Sequence, residues 1–225
     1  MTPRNVVRPA AAGALCFAFT CVAAKTAPAG TSATEPTARA AQQPQISVRH
    51  GSLNVRAGKR ATVFGRVAPA APGLGVALQV ERRGRWRTIE HDRTDAAGRY
   101  RLRQRLRGTL SRHARVQVRR APGFLPAERR IGRLNVYRTA YASWYGPGLY
   151  GNRTGCGGTL HAGRIGVAHK SLPCGTMVTF KHGRRTLRVP VIDRGPYVGG
   201  REYDLTAAAA ERLGFDGHGV IMTTR

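Results

Sequence analysis

Acidic residues are scarce in this sequence. Only 11 Asp and Glu stand against 38 Lys and Arg among 225 residues, and the formal net charge is +27. Lysine is scarce as well, because all but four of these cations are arginines. A surplus of this size predicts an anionic partner, either nucleic acid, an anionic cell-wall polymer or a membrane surface. The hydrophobic content of 41% excludes a chain that is disordered throughout.

Long hydrophobic runs are also missing. No apolar run reaches the roughly 18 residues that a membrane-spanning helix needs, which excludes a multispan membrane protein. The apolar stretch at residues 10–24 follows a basic start and precedes a polar stretch rich in Ala, Thr and Pro. This order is typical of a secretory signal peptide. We therefore predict a signal peptide at residues 1–24, a disordered linker at residues 25–44, and a secreted or cell-wall-associated protein.

Cysteine and metal-binding patterns are few. Removal of the signal peptide leaves Cys156 and Cys174, and two cysteines in an exported chain form a disulfide more often than they stay as thiols. We predict this disulfide, which would stabilise the fold by about 3 kcal/mol in the chain-entropy model. The histidines are scattered, with no His-Glu-x-x-His pattern and no paired Cys-x-x-Cys motif. There is no Walker loop either, so we expect no metal and no cofactor.

Short strands are the main pattern of residues 45–137. Segments of alternating or clustered apolar residues are separated there by Gly and Pro turns, which is typical of an all-β sandwich. Residues 94–103 resemble the hairpin of bacterial immunoglobulin-like modules. We predict a mainly β protein that begins with a basic immunoglobulin-like β-sandwich at residues 45–137.

Most of the positive charge lies in the same region, with 23 Arg and Lys against 5 Asp and Glu between residues 45 and 138. Any single arginine is explained by a solvated surface, but so few acids cannot neutralise the whole set. We therefore expect it to bind anionic cell-wall polymers. No aromatic residues interleave these arginines as single-strand binding requires, so no nucleic acid is expected. A period of two places one group of them on one face of a strand: Arg101, Arg103, Arg105 and Arg107.

Residues 138–225 combine glycine-rich loops, a hairpin around His182–Gly183, a short helix and a last strand. Asp193 directly follows the second hairpin strand, where a Gly-Pro turn leaves it open to a ligand. The helix is predicted to end at Gly214, and we assign Asp204 to its N-terminal cap. Of the other acids, Glu211 is expected on the exposed helix face, Asp216 in a terminal loop, and Glu202 is left open. Asp193 is therefore the candidate acid and base, with a structural turn carboxylate as the alternative.

Three segments of this region resemble a known family: ASWYGPGLYGNRT, GVAHKSLPCGT and VPVIDRGPYVGGREYDLTAAAAERLG. In order and spacing, from about residue 140 to 220, they are similar to the rare lipoprotein A (RlpA) family of double-psi β-barrels, of the septal ring lytic transglycosylase type. Members are exported cell-wall proteins, and several act as lytic transglycosylases on peptidoglycan. The resemblance implies a C-terminal double-psi β-barrel at residues 138–225. Related barwin and expansin barrels bind or loosen wall polysaccharide, in many cases without hydrolysis.

The resemblance also implies site residues. His169 matches the histidine of the family's A-H-x-x-L-P-x-G-T segment and Asp193 the aspartate of its D-R-G-P segment, and we predict both as catalytic. From the residues alone, His169 either bonds Asp193 or a sugar, or is held by the backbone of its turn. Gly158 stands where the family has its catalytic glutamate. Substrate binding is predicted at Trp144, Tyr145, Tyr150, Arg194 and Tyr197.

The sequence thus predicts an exported, monomeric protein that acts on peptidoglycan glycan strands. The predicted reaction is lytic transglycosylation with formation of 1,6-anhydro-N-acetylmuramic acid, for which one carboxylic acid can serve as acid and then as base. The alternative is a non-catalytic, expansin-like module that binds wall polysaccharide, which Gly158 favours. A nucleic-acid-binding protein is suggested by charge alone, and the signal peptide opposes it.

Overall fold

The computed structural model describes residues 40–225, which are mainly β-structure. The predicted signal peptide and residues 25–39 of the predicted linker lie outside the described residues. Gln42, near the end of the predicted linker, is hydrogen-bonded to residues 123 and 125. Its N–H donates to the Gly123 carbonyl at 2.9 Å and its carbonyl accepts from the Leu125 N–H at 2.8 Å. No helix within residues 40–225 is long and apolar enough to span a membrane.

The described elements comprise 13 strands and one helix. In chain order they are β1 (Gln45–Ser52), β2 (Asn54–Arg56), β3 (Arg60–Ala68), β4 (Gly75–Arg82), β5 (Arg85–Arg93), β6 (Arg99–Arg105), β7 (Leu110–Val118), β8 (Ala127–Tyr145), β9 (Val167–Ala168), β10 (Met177–His182), β11 (Arg185–Asp193), β12 (Tyr203–Thr206), α1 (Ala207–Leu213) and β13 (Gly219–Thr223).

Two sheets enclose the core of the first region. One has the order β1-β3-β6, and the other continues through β5-β4-β7-β8, with β2 beside β8. Val63, Leu102, Leu78 and Leu134 come from both sheets into one cluster that is shielded from solvent. The strands that the alternating pattern predicted are present. The immunoglobulin-like character of this region stays a prediction.

Strand β8 is long enough to belong to both regions. Its first half pairs with β7 up to Val136, and its second half pairs with β13 from Arg138 onward. The predicted boundary between residues 137 and 138 therefore falls within a continuous strand, with no loop at that point. The two regions are joined by backbone that is hydrogen-bonded on both sides.

The second region is a closed barrel. Its strands follow the order β12-β9-β11-β10-β13-β8, and a parallel pairing of β12 with β8 closes the ring. The predicted hairpin is β10–β11, in which Val178 pairs with Val189 and Phe180 pairs with Leu187. Phe180 and Val189 are fully buried in the barrel core, because the alternation places them on the inner face.

The short helix α1 ends as predicted but begins differently. Gly214 is its C-terminal cap in the left-handed conformation, with φ of 62°. The N-cap is Thr206, whose Oγ1 accepts from the Ala209 N–H at 3.3 Å. The prediction that Asp204 caps the helix is wrong. Asp204 lies within β12, because Tyr203 and Leu205 on either side of it are buried in the barrel core.

Candidate active site in the barrel groove

A groove of about 290 Å³ opens on the barrel surface where β11 ends and β12 begins. It lies between the glycine-rich loop after β8 and the loop that joins β11 to β12. Its lining combines carboxylates, arginines and exposed apolar side chains: Tyr145, Leu149, Asn152, Arg153, Thr154, Leu160, Ala168, Asp193, Arg194, Gly195, Pro196, Tyr197, Val198, Arg201 and Asp204.

Two carboxylates share this groove, on either side of β9. Ala168 of β9 is the register partner of Asp193 on β11 and also of Asp204 on β12. The two Cα atoms are therefore about two strand spacings, or roughly 10 Å, apart. Residues that are paired across neighbouring strands project from the same face of the sheet, so both carboxylates lie in the groove.

Asp193 accepts hydrogen bonds at both oxygens. Its Oδ1 accepts from the Gly155 N–H at 2.6 Å and the Arg194 N–H at 2.8 Å, and its Oδ2 accepts from the Tyr145 hydroxyl at 3.1 Å. Burial, together with the Asp193 charge, raises the pKa of Tyr145, so this phenol stays protonated and remains a donor. The geometry describes a carboxylate that is fixed in place and half-buried, yet still lines the groove.

Asp204 has a different environment. Its Oδ1 accepts one hydrogen bond, from the Ser143 hydroxyl at 2.8 Å. Burial raises the pKa of Asp204, and the charge of Asp193 acts in the same direction, while Ser143 and Arg201 oppose them. Two acids whose surroundings differ in this way can take different protonation states in one site. Asp204 is therefore the groove carboxylate suited to hold a proton.

The side chain of His169 does not meet Asp193. Its Nδ1 accepts from the Ser171 N–H at 3.1 Å and the Leu172 N–H at 3.0 Å, and its ring lies against Tyr203. Burial lowers the pKa of His169, which agrees with an unprotonated Nδ1 that accepts two amides. Of the alternatives open from the sequence, the structure shows the histidine held by the backbone of its turn.

Arg194 and the predicted disulfide hold the loops beside Asp193. The Arg194 guanidinium donates to the carbonyls of His169 at 3.2 Å and Leu172 at 2.9 Å. The Cys156–Cys174 disulfide is present, with Cα atoms 5.5 Å apart. It ties the loop that carries the Gly155 amide to the loop that Arg194 contacts. Arg194 therefore positions these loops and also lines the groove, and its contact with substrate stays a prediction.

The predicted aromatic residues divide between two places. Tyr145 and Tyr197 line the groove, and Tyr197 is 81% exposed at its rim. Trp144 and Tyr150 line a separate depression beside α1, and the partly buried Trp144 also packs on the barrel core. The structure thus brings two of these four aromatic side chains together with the carboxylates.

The remaining acids lie away from the groove. Glu202, which the sequence left open, pairs with the Arg138 guanidinium, and that hydrogen bond lowers the pKa of Glu202. Glu211 is exposed on α1, as predicted. Within residues 40–225 no group of three or more His, Cys, Asp or Glu side chains could hold a metal ion.

Sequence reasoning missed Asp204 as a site residue. The signal that could have found it is the alternation of Tyr203, Asp204 and Leu205, which is a strand pattern with the aspartate on the face opposite to the core.

Comparisons with known proteins agree with this architecture. The family model described as "Lytic transglycolase", a double-psi β-barrel family, matches residues 137–224. "Probable endolytic peptidoglycan transglycosylase RlpA" of Synechocystis is 38% identical over 107 residues, which cover 43% of this chain and 33% of that protein. The protein of the same description from Aquifex aeolicus is 44% identical over 88 residues, 38% of each chain.

The similarity is confined to one part of each protein. "Endolytic peptidoglycan transglycosylase RlpA" of Campylobacter jejuni is 43% identical over 74 residues, which cover 32% of this chain and 27% of that one. The chain thus spans about a third of the length of these curated relatives. The match to the solved structure of Streptomyces papain inhibitor covers 40% of this chain and 94% of that chain, with 25% sequence identity and a TM-score of 0.31. Residues 137–224 of the chain thus match the RlpA-like double-psi β-barrel family.

Proposed function

We propose that the groove binds a peptidoglycan glycan strand and cleaves it as a lytic transglycosylase. The observation that carries this proposal is the pair of carboxylates on either side of Ala168, of which burial raises the pKa of Asp204. The printed names of the relatives, endolytic peptidoglycan transglycosylases, support the choice of substrate.

The proposed chemistry uses one acid twice. Protonated Asp204 gives its proton to the glycosidic oxygen that leaves C1 of N-acetylmuramic acid, and the C1–O bond breaks. The C6 hydroxyl of the same sugar then attacks C1, and the Asp204 carboxylate takes the hydroxyl proton. The product is a 1,6-anhydro ring, and Asp204 is protonated again without a water nucleophile.

Asp193 has a separate role in this proposal. Three donors hold its two carboxylate oxygens in place beside the groove. A fixed negative charge beside the sugar ring stabilises the positive charge that develops at C1. Asp193 thus remains a catalytic residue, while the role of proton donor moves to Asp204. His169 and Arg194 act as positioning residues for the loop from 169 to 174.

Digestion of purified sacculi tests the proposal. The protein should release muropeptides that end in 1,6-anhydro-N-acetylmuramic acid, and mass spectrometry should detect them at a mass one water lower than that of hydrolysed ends. Hydrolysed ends alone would contradict lytic transglycosylation, because they require a water nucleophile.

Gly158 favours the alternative, a non-catalytic expansin-like module. It has φ of +79°, and a Cβ placed on it would lie 2.9 Å from the Arg164 Nη1. A side chain at this position, where the resemblance implies a catalytic glutamate, would therefore meet the Arg164 guanidinium. Retention of the protein on sacculi without any release of muropeptides would support this alternative.

We further propose that a cationic face holds the exported protein to the wall. The face is the outer side of the β1-β3-β6 sheet, where β3 and β6 pair Arg60 with Arg105 and Arg66 with Arg99. Like charges that lie opposite each other are unfavourable unless an anion neutralises them. The exposed arginines of the face are Arg60, Arg66, Arg99, Arg101, Arg103 and Arg105.

Binding to sacculi is expected to weaken steeply as the salt concentration rises, because it releases counterions from an anionic polymer. A triple variant of the cationic face, Arg101→Gln, Arg103→Gln and Arg105→Gln, should reduce both the binding and its salt dependence in co-sedimentation. The matched control changes the same number of exposed arginines in the β4–β5 hairpin: Arg83→Gln, Arg85→Gln and Arg87→Gln. Binding that ignores salt, or that falls equally in the control, would contradict a specific cationic face.

A further inference from the structure

A second cavity, of about 390 Å³, lies where the first region meets the barrel. It shares no lining residue with the groove. Five arginines line it, and no acidic residue does. The arginines come from β4, the loop before β7, β7 itself, β11 and the end of the described chain. We call this cavity the arginine cleft, defined by Arg82, Arg107, Arg112, Arg188 and Arg225.

Both regions build the arginine cleft. Thr179 of β10 is the register partner of Arg188 on β11, so the two side chains project from the same face of the barrel. The Thr179 hydroxyl lies 3.1 Å from the Ser111 hydroxyl of β7. This contact joins the barrel face that carries Arg188 to the strand that carries Arg112.

No acidic side chain of the described residues forms an ion pair with an arginine of the cleft. Among residues 40–225, the ion pairs involve Arg115, Arg138 and His169, and none involves an arginine of the cleft. Burial lowers the pKa of Arg188, and the positive charges of Arg133, Arg225 and Arg112 lower it further. Arg133 belongs to the same surroundings, since it donates to the Ser111 carbonyl and contacts His113.

We propose that the arginine cleft binds one phosphate or phosphodiester group. A concave site with several guanidinium groups and no acidic side chain attracts a multivalent anion and repels cations. Guanidinium groups pair with phosphate oxygens through two parallel hydrogen bonds, a geometry that lysine does not offer. The cleft is also large enough for a phosphodiester with its flanking groups. The lining of the cleft by itself supports the binding of a phosphate group. Only the assignment of that group to a wall polymer rests on the proposed function.

Calorimetric titration of the whole protein with inorganic phosphate and with pyrophosphate tests the site. One saturable binding event per protein is expected. Arg188→Gln and Arg112→Gln should each lower the affinity roughly tenfold, or about 1.4 kcal/mol, because each removes a charge-assisted hydrogen bond to the anion. The matched control is Arg184→Gln, an exposed arginine in the turn before β11 that lies outside the cleft, the groove and the cationic face, and it should leave the affinity unchanged. Binding that does not saturate, or that falls equally in the control, overturns the proposal.

Thermal unfolding distinguishes phosphate binding at the cleft from non-specific binding of anions to a basic protein. In phosphate-free buffer Arg188→Gln should raise Tm, because it removes a charge that its neighbours disfavour. Phosphate should then raise the Tm of the unchanged protein more than that of the variant, because the variant binds it more weakly. An equal rise in both proteins would overturn a site at Arg188.

The source of the group is tested by co-sedimentation, with Arg188→Gln as the comparison in each arm. The arms are sacculi that retain their phosphodiester polymers, the same sacculi after acid removal of those polymers, and anionic phospholipid vesicles. Dependence on Arg188 in the first arm alone supports a wall polymer, whereas dependence in the vesicle arm assigns the cleft to lipid headgroups. Failure of glycan cleavage leaves these results unchanged, because no arm depends on the groove.

Discussion

Asp204→Asn is expected to abolish the release of anhydromuropeptides from purified sacculi. A positioned general acid contributes about 10²–10⁴ to a rate, and asparagine cannot supply the proton. The substitution keeps the shape of the side chain and an oxygen that can accept the Ser143 hydroxyl. Retention of the variant on sacculi should therefore be unchanged, so that only the chemical step is lost.

The pH dependence follows from the same group. Activity of the unchanged protein should fall as pH rises through the raised pKa of Asp204, because the proton that the reaction needs is lost. The folded state holds this proton more tightly than the unfolded chain does. The stability that Asp204 contributes is therefore fully present at pH values below its pKa in the unfolded chain. It is lost as pH rises through its pKa in the folded protein. Asp204→Asn should consequently raise Tm at neutral pH while it removes activity.

Asp216→Asn is the matched control for this experiment, because Asp216 is an exposed aspartate of the barrel that lies outside the groove. It should leave activity and its pH dependence unchanged. If Asp204→Asn kept its activity and Asp193→Asn lost it, the proton donor would be Asp193, as the sequence alone suggested. Loss of folding in Asp204→Asn would appear as a lower Tm, opposite to the expected direction.

Removal of the Cys156–Cys174 disulfide is expected to have the largest effect on stability. The bond closes a sequence separation of 18 residues, and its loss should lower the free energy of unfolding by about 3 kcal/mol in the chain-entropy model. The double variant Cys156→Ser, Cys174→Ser avoids an unpaired thiol. Denaturant unfolding of this variant, with the unchanged protein alongside, measures the difference.

The same variant should affect the groove. Cys156 is next to Gly155, whose N–H donates to Asp193 Oδ1, and Cys174 is within hydrogen-bond distance of the Arg194 guanidinium. Freedom in these loops should lower the rate of glycan cleavage. A reducing agent should weaken the unchanged protein in the same way and have no effect on the double variant. Equal sensitivity of both proteins to the reducing agent would show that it acts elsewhere.

Several features of the fold can be predicted from patterns of residues that are close together in the sequence. The β10–β11 hairpin is predictable because a period of two places Val178 and Phe180 on one face and a Gly turn joins the strands. The end of α1 at Gly214 is predictable because a residue without Cβ adopts the left-handed conformation at little cost. The disulfide was predictable because, after the predicted removal of the signal peptide, only two cysteines remain to pair.

The arrangement of the two carboxylates in the groove could not be predicted from such local patterns. An aspartate three residues before a helical stretch is equally consistent with a cap and with a position in a preceding strand. Pairing of β12 with β8 and β9 decides between them, and it places Asp204 across Ala168 from Asp193. The partners of His169 were likewise left open by the sequence, since a ring can meet any of several groups that folding brings near.

The amino-acid sequence by itself determined the strand-rich character of the chain, the family of residues 137–224, the disulfide and the surplus of positive charge. Tertiary structure alone decided which acid lies in a buried environment and which arginines converge. Burial and charge proximity are set by groups far apart in the chain, such as Arg82 and Arg188 of the arginine cleft. Local patterns contain no information on such distances, because they arise only when the sheets close.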